Sequence, residues 1–152
     1  MSDAAPAPLR IVRSELPTKF RDLLAAAEAA RGRARATYSG YRVGAAALDS
    51  QNRVHAGCNV EISSYPLSLC AERVALFAAI AAGAESIEAI AVVGPGHGGD
   101  PTPPCGACRQ VIWDLAGDIP VLLGSPDGTV QQWQSRALLP SPFGPDHLED
   151  DR

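Results

Sequence analysis

Concentrated positive charge is the first thing this chain lacks. Its 13 Lys and Arg residues are outnumbered by 17 Asp and Glu, giving a formal net charge of −4, and no sizeable basic cluster interrupts that balance. Surfaces for nucleic acid or anionic lipid neutralise phosphates with grouped cations, so both partner classes are excluded in favour of a small neutral ligand. Aromatic residues are scarce as well, at 5%, which removes the stacking platforms that single-strand binders interleave with basic residues. No apolar run approaches the ~20 residues of a membrane span. Residues 1–8 have neither the basic flank nor the apolar stretch of a secretory signal. These absences point to a reducing, cytoplasmic setting. There, four cysteines, two of them spaced C-x-x-C, favour metal binding or catalysis over disulfides.

What is present is an ordinary composition, 46% hydrophobic and 20% charged over 152 residues. That length suits one domain, residues 1–152, able to bury roughly two thirds of its unfolded surface without staples. Residues 1–13 and 147–152 are expected to be loosely ordered. Ser14 to Pro17 carry helix-start chemistry, and Phe20, Leu23, Leu24 and Ala27 give one apolar face up to Arg31, with Gly32 as the stop. Arg31, Arg33 and Arg35 suit a helix C-terminal end. Residues 41–48 and 54–60 read as a hairpin around Ser50-Gln51-Asn52. Residues 62–69 are irregular, broken by Pro66. Residues 70–82 form an Ala-rich buried helix, and 87–93 an interior strand. A Gly/Pro loop over 94–104 holds His97. A helix over 106–115, a strand over 119–124, a turn at Pro126-Asp127-Gly128 and a strand over 129–134 follow. After the opening helix the order β-β-α-β-α-β-β predicts one mixed sheet of about five strands with helices on both faces.

Chemistry concentrates in two short stretches. Leu69-Cys70-Ala71-Glu72-Arg73 and Pro104-Cys105-Gly106-Ala107-Cys108-Arg109-Gln110 each place cysteine where an apolar helical pattern begins. At a helix start the free backbone N–H groups and the dipole favour the thiolate that a metal requires. A catalytic zinc takes three protein ligands and keeps one position for water. Cys70, Cys105 and Cys108 therefore form a candidate ligand set, and Glu72 a candidate proton carrier. Three thiolates leave a dication net negative, and Arg73 and Arg109 are the cations at hand to offset this through hydrogen bonds to sulfur. C-x-x-C alone also fits a redox dithiol, and Cys58 as a fourth ligand would close a purely structural zinc site. His97, alone on a loop, reads as solvated.

The joint pattern of C-x-E with P-C-x-x-C matches the signature of the zinc nucleobase deaminases, in which a non-ligand Glu acts as general acid and base. Attack on an amidine carbon needs hydroxide at neutral pH, which zinc supplies by lowering the pKa of water toward ~7. One carboxylate then moves protons in both directions.

With those residues in hand, the chain closely resembles the small, homotetrameric cytidine deaminases of the all-cysteine type. Beyond the two cysteine stretches, the likeness rests on Tyr38-Ser39-Gly40-Tyr41-Arg42-Val43-Gly44-Ala45-Ala46, Gly57-Cys58-Asn59-Val60-Glu61, and Leu138-Leu139-Pro140 through Phe143-Gly144-Pro145. The resemblance implies a three-layer α/β/α fold, one zinc ion per subunit, and hydrolytic deamination of cytidine and 2′-deoxycytidine in pyrimidine salvage. It implies further that Asn59 and Glu61 hold the ribose 3′-hydroxyl, that the Ala71 backbone contacts the base, and that Tyr41 takes a position usually held by Phe that packs against the pyrimidine. Phe143, read alone as packing on its own domain, would instead reach into a neighbouring subunit's pocket. Thr37 stands where the family commonly has Pro, and Ile62-Ser63-Ser64 replaces a stretch that often begins with Asn, beside the ribose site. A deaminase for a blasticidin-type nucleoside antibiotic shares C-x-E and P-C-x-x-C, and a zinc-stabilised binding module without catalysis is the reading from another class.

Overall fold

The computed structural model describes residues 7–148. In chain order these form β1 (Leu9–Val12), α1 (Thr18–Arg31), β2 (Gly44–Asp49), β3 (Val54–Cys58), α2 (Ala71–Ala81), β4 (Ile87–Val93), α3 (Gly106–Ala116), β5 (Pro120–Gly124), β6 (Thr129–Gln134) and α4 (Ser135–Leu138). Short 3-10 turns occupy Arg13–Glu15, Tyr65–Leu67 and Pro145–Leu148. The strands make one six-stranded sheet in the order β1-β6-β5-β4-β2-β3. Only β4 and β5 run parallel, with α3 in the connection between them, and every other pairing is antiparallel.

Alternation along the strands separates two cores, because successive side chains point to opposite faces. On one face, Ala46, Leu48, Ala91, Val93 and Leu122 meet Leu23, Leu24 and Ala27 of α1. On the other, Ala45, Ala47, Ile90, Val92 and Leu123 meet Ala75, Leu76 and Ala79 of α2 and Ile112 of α3. The result is the three-layer α/β/α arrangement the resemblance implied. Two strand glycines set how close the layers come. A Cβ on Gly44 would run into the Ala27 carbonyl and the Arg31 backbone of α1. A Cβ on Gly57 would lie 2.5 Å from the Ala75 nitrogen and 2.8 Å from the Ala71 oxygen of α2. The first turn of α2 is thereby seated directly on β3.

The sheet has six strands rather than about five, because residues 9–12 of the expected loose lead-in pair with β6 from Leu9↔Gln132 to Val12↔Thr129. An edge strand of four residues is too short to display a period, and what holds it is the open hydrogen-bonding edge of β6. The expectation of looseness for 1–6 and for 149–152 falls outside the described residues. Pairing of β3 with β2 ends at Gly44↔Cys58 instead of running to residue 60. Val60 turns away to exchange two 3.0 Å hydrogen bonds with Leu69, and Glu61 N donates to Arg35 O at 2.8 Å. That exchange brings residues 59–61 beside the start of α2.

The β2–β3 hairpin closes on Asp49, which is fully buried. Its carboxylate accepts from the backbone nitrogens of Gln51 and Arg53 at 2.9 and 2.8 Å, from Arg53 Nε at 2.8 Å, and pairs with His55 Nε2 at 2.9 Å. Burial opposes ionisation, but these contacts, led by His55, outweigh it and hold the carboxyl well below the usual range. Arg53 Nη1 also donates to the Ala82 carbonyl at the end of α2.

Candidate metal centre and active site

Cys70 and Cys105 occupy the extended residue immediately before α2 and α3, with ψ of 154° and 166°, and Cys108 lies in the first turn of α3. Both helices begin at the same end of the sheet, so their positive dipole ends converge on the three sulfurs. All three Sγ atoms lie within 4.8 Å of one another, and Cys70 and Cys105 are 3.8 Å apart. With Zn–S bonds of about 2.3 Å, a tetrahedral site has sulfur–sulfur edges of about 3.8 Å, so the cluster has the right size for one zinc ion. Cys58, the candidate fourth ligand of a structural site, is not in the cluster. Neither is His97, which sits in a turn closed by backbone hydrogen bonds to Asp100 of 2.9 and 3.0 Å.

The protonation chemistry of the sulfurs agrees with a metal. As free thiols they compete for charge: the hydrogen bond from Cys108, opposed by burial and aided by Arg73, brings Cys70 down to about 5. The same bond, with burial, pushes Cys108 up. Three soft sulfurs become thiolates together only when a cation replaces their protons, and zinc is the ion such a donor set suits. Arg73 Nη2 lies 3.8 Å from Cys70 Sγ and 3.5 Å from Ser68 O, and its buried Nε has no partner among the described residues. Arg109 is placed differently from the expectation that it would neutralise sulfur. Its Nε donates to Pro104 O at 2.8 Å and its Nη1 to Leu138 O at 3.0 Å. It clamps the approach to Cys105 onto the C-terminal segment.

Glu72, in the first turn of α2, is only 4% exposed. Burial pushes its carboxyl up to about 7, with its own backbone N–H pulling the other way and the charge of Cys70 adding to the rise. It lines a cleft of about 420 Å³ together with Cys70, Ala71, Cys105, Tyr41, Asn59 and Glu61. The Asn59 amide is oriented by backbone: Oδ1 accepts from Val43 N at 2.9 Å and Nδ2 donates to Tyr41 O at 2.8 Å. Glu61 accepts from Tyr38 N at 2.8 Å, from Ser39 N at 3.1 Å and from the Ser39 hydroxyl. The Ser39 hydroxyl is the main cause that lowers its pKa, against burial.

Several lining residues had no role assigned from sequence, Ser39, Tyr65 and Thr102 among them. Ser39 and Tyr65 fall in irregular segments and Thr102 in the Gly/Pro loop, where no period marks which side chains turn inward. Phe143 lies outside the cleft. The residue is 54% exposed, its ring is stacked on His147 at 5.1 Å, and its carbonyl accepts from Gln110 Nε2 at 2.7 Å.

Comparison with known proteins places this geometry in a family. Residues 17–122 match the family model described as the cytidine and deoxycytidylate deaminase zinc-binding region. A cytidine deaminase of Sporosarcina psychrophila is 41% identical over 127 residues, covering 83% of this chain and 92% of that protein. One from Mycobacterium tuberculosis H37Rv is 42% identical, covering 84% and 90%. The crystal structure of the Burkholderia pseudomallei cytidine deaminase superposes with a TM-score of 0.76 at 48% identity, over 80% of this chain and 97% of that one. With three sulfurs gathered at two helix starts, a buried carboxylate beside them and these matches across most of its length, the chain belongs to the cytidine deaminase family of zinc enzymes.

Proposed function

We propose that this enzyme hydrolyses cytidine and 2′-deoxycytidine to uridine and 2′-deoxyuridine plus ammonia, with Glu72 as the proton carrier. The observation that carries the assignment is a buried carboxyl pushed up to about 7, set beside a three-sulfur cluster in the wall of a nucleoside-sized cleft. Zinc, held by Cys70, Cys105 and Cys108, supplies an acidified water when bound. Glu72 takes a proton from the attacking water and delivers it to the ring nitrogen, then takes the remaining proton of the newly added hydroxyl and delivers it to the departing amine as the C–N bond breaks and the carbonyl forms. A carboxyl poised near neutrality exchanges protons in both directions with little driving force lost. Arg73, against Cys70, offsets the thiolate charge. The Ala71 backbone, at the unsatisfied start of α2, faces the base. Asn59 and Glu61, oriented by residues 38–43, keep lone pairs and an N–H for the ribose 3′-hydroxyl, and Tyr41 packs along the pyrimidine.

Phe143, exposed and outside its own cleft, completes the site of a neighbouring subunit in a homotetramer. A reducing, cytoplasmic compartment suits four free thiols. Among the described residues no helix is long and apolar enough to cross a membrane. The test is the ultraviolet change on incubating zinc-loaded protein with cytidine, 2′-deoxycytidine, cytosine, cytidine monophosphate and blasticidin S. Deamination of cytidine and its 2′-deoxy form is expected, and inertness toward both removes the assignment. Turnover of blasticidin S alone redirects it to the antibiotic. Sedimentation as an active monomer would remove the shared-site role of Phe143.

A further inference from the structure

Tyr41 stands where the family resemblance expects phenylalanine, so its hydroxyl is an addition that needs a use. That hydroxyl lies 2.9 Å from Thr102 Oγ1. The ring above it is not confined by packing. It is 42% exposed, and it separates the catalytic cleft from a second cavity of about 360 Å³ on its far side. Tyr41, Thr102 and Pro103 line both spaces. A ring with room on either side holds its place only if its tip is tied.

Thr102 is a firm anchor for such a tie. It is 8% exposed, and its Oγ1 accepts from Gly96 N at 3.0 Å. Gly94 packs so closely against it that a Cβ there would collide with the hydroxyl. The outer part of the same loop is tied to the sheet through Asp100, whose Oδ1 accepts from Arg10 Nη2 and from Gln131 Nε2, each at 2.8 Å. With one N–H received and one partner hydroxyl, Thr102 still has the donor and acceptor capacity that the Tyr41 contact uses.

We propose that the Tyr41–Thr102 hydrogen bond is a positioning device that holds the Tyr41 ring as the wall of the nucleoside cleft, with Thr102 as a positioning residue acting through it. This rests on the cytidine reading above. A wall fixed before the ligand arrives spares the ordering cost on binding. It touches ground state and transition state alike, so it acts on KM rather than kcat.

The test uses the zinc-loaded full chain in four variants: Tyr41→Phe, Thr102→Val, the double variant, and Thr102→Ser, which keeps the hydroxyl. Tyr41→Phe and Thr102→Val are each expected to raise KM for cytidine about three- to tenfold, the range of one neutral hydrogen bond, with kcat within about twofold. The double variant should be no worse than either single one, and Thr102→Ser should restore the wild-type KM. An unchanged KM in Tyr41→Phe, a loss confined to kcat, or additive effects in the double variant would overturn the inference. Tyr41→Phe alone decides the matter if Thr102→Val fails to fold. Absence of cytidine turnover in the wild type would overturn the functional reading and this inference with it, whereas wild-type turnover with an unchanged Tyr41→Phe KM overturns this inference alone.

Discussion

Asp49 and Glu72 are both buried carboxylates, and their surroundings drive them in opposite directions. Asp49 receives two backbone N–H groups, a guanidinium and a histidine, so its charged form is favoured despite burial. Glu72 is walled in beside the sulfur cluster with little to stabilise its charge, so its neutral form gains. The first is a structural ion, and the second has the protonation behaviour that the proposed proton carrier needs. Because the folded-state pKa of Asp49 lies below that of the unfolded chain, at roughly 3.9, its contribution to stability is whole above that value and is lost as pH falls through the folded pKa. Asp49→Asn should therefore unfold at lower urea than wild type at about pH 7, with the gap narrowing, though not closed, at about pH 3. A gap of the same size at both pH values would contradict this origin.

At the level of elements, placement of the site depends on how closely α2 sits on β3. Gly57 permits the Ala71 and Ala75 backbones to rest against the strand, and that contact fixes where Cys70 and Glu72 emerge. Gly57→Ala forces α2 outward, and a destabilisation of about 1–3 kcal/mol is expected, the usual cost of overpacking. Chemical denaturation would show it, and a variant as stable as wild type would mean that α2 is not held by this contact. The same close packing explains which elements were legible in the sequence. β4 and β6 run over 87–93 and 129–134 as their apolar and β-branched content indicated, and the two cysteine-led helices begin within a residue of expectation. β1 and α4, at four residues each, carry no period and owe their form to a neighbouring strand edge or turn. Within the site, the sulfurs were legible because ligand spacing is local. Arg109, Ser39, Tyr65 and Thr102 were not, because their partners come from segments distant in sequence whose approach no spacing encodes. Asn59 and Glu61 had an assigned use only through family resemblance, since the bond between Val60 and Leu69 that carries them to the cleft crosses an irregular stretch.

For the molecule as a whole, the sheet gathers two helix starts at one end, and the loop over 94–104 walls the space in front of them. The acidic balance of the chain and its lack of grouped cations suit a neutral nucleoside better than a polymer. Phe77, Ile80, Phe143 and Leu148, each at least 45% exposed, are exposed apolar side chains of the kind the proposed assembly would cover. None of this produces turnover unless the sulfurs hold a metal and the carboxylate beside them moves protons, and those two duties separate cleanly. The decisive measurement is zinc content and cytidine turnover side by side in wild type and Glu72→Gln. The account predicts one zinc per chain in both proteins, with turnover in the variant lowered by about 10²–10⁴-fold, the usual share of a general acid–base. A Glu72→Gln protein that deaminates cytidine at the wild-type rate, or a wild-type protein that is active and holds no zinc, would contradict it.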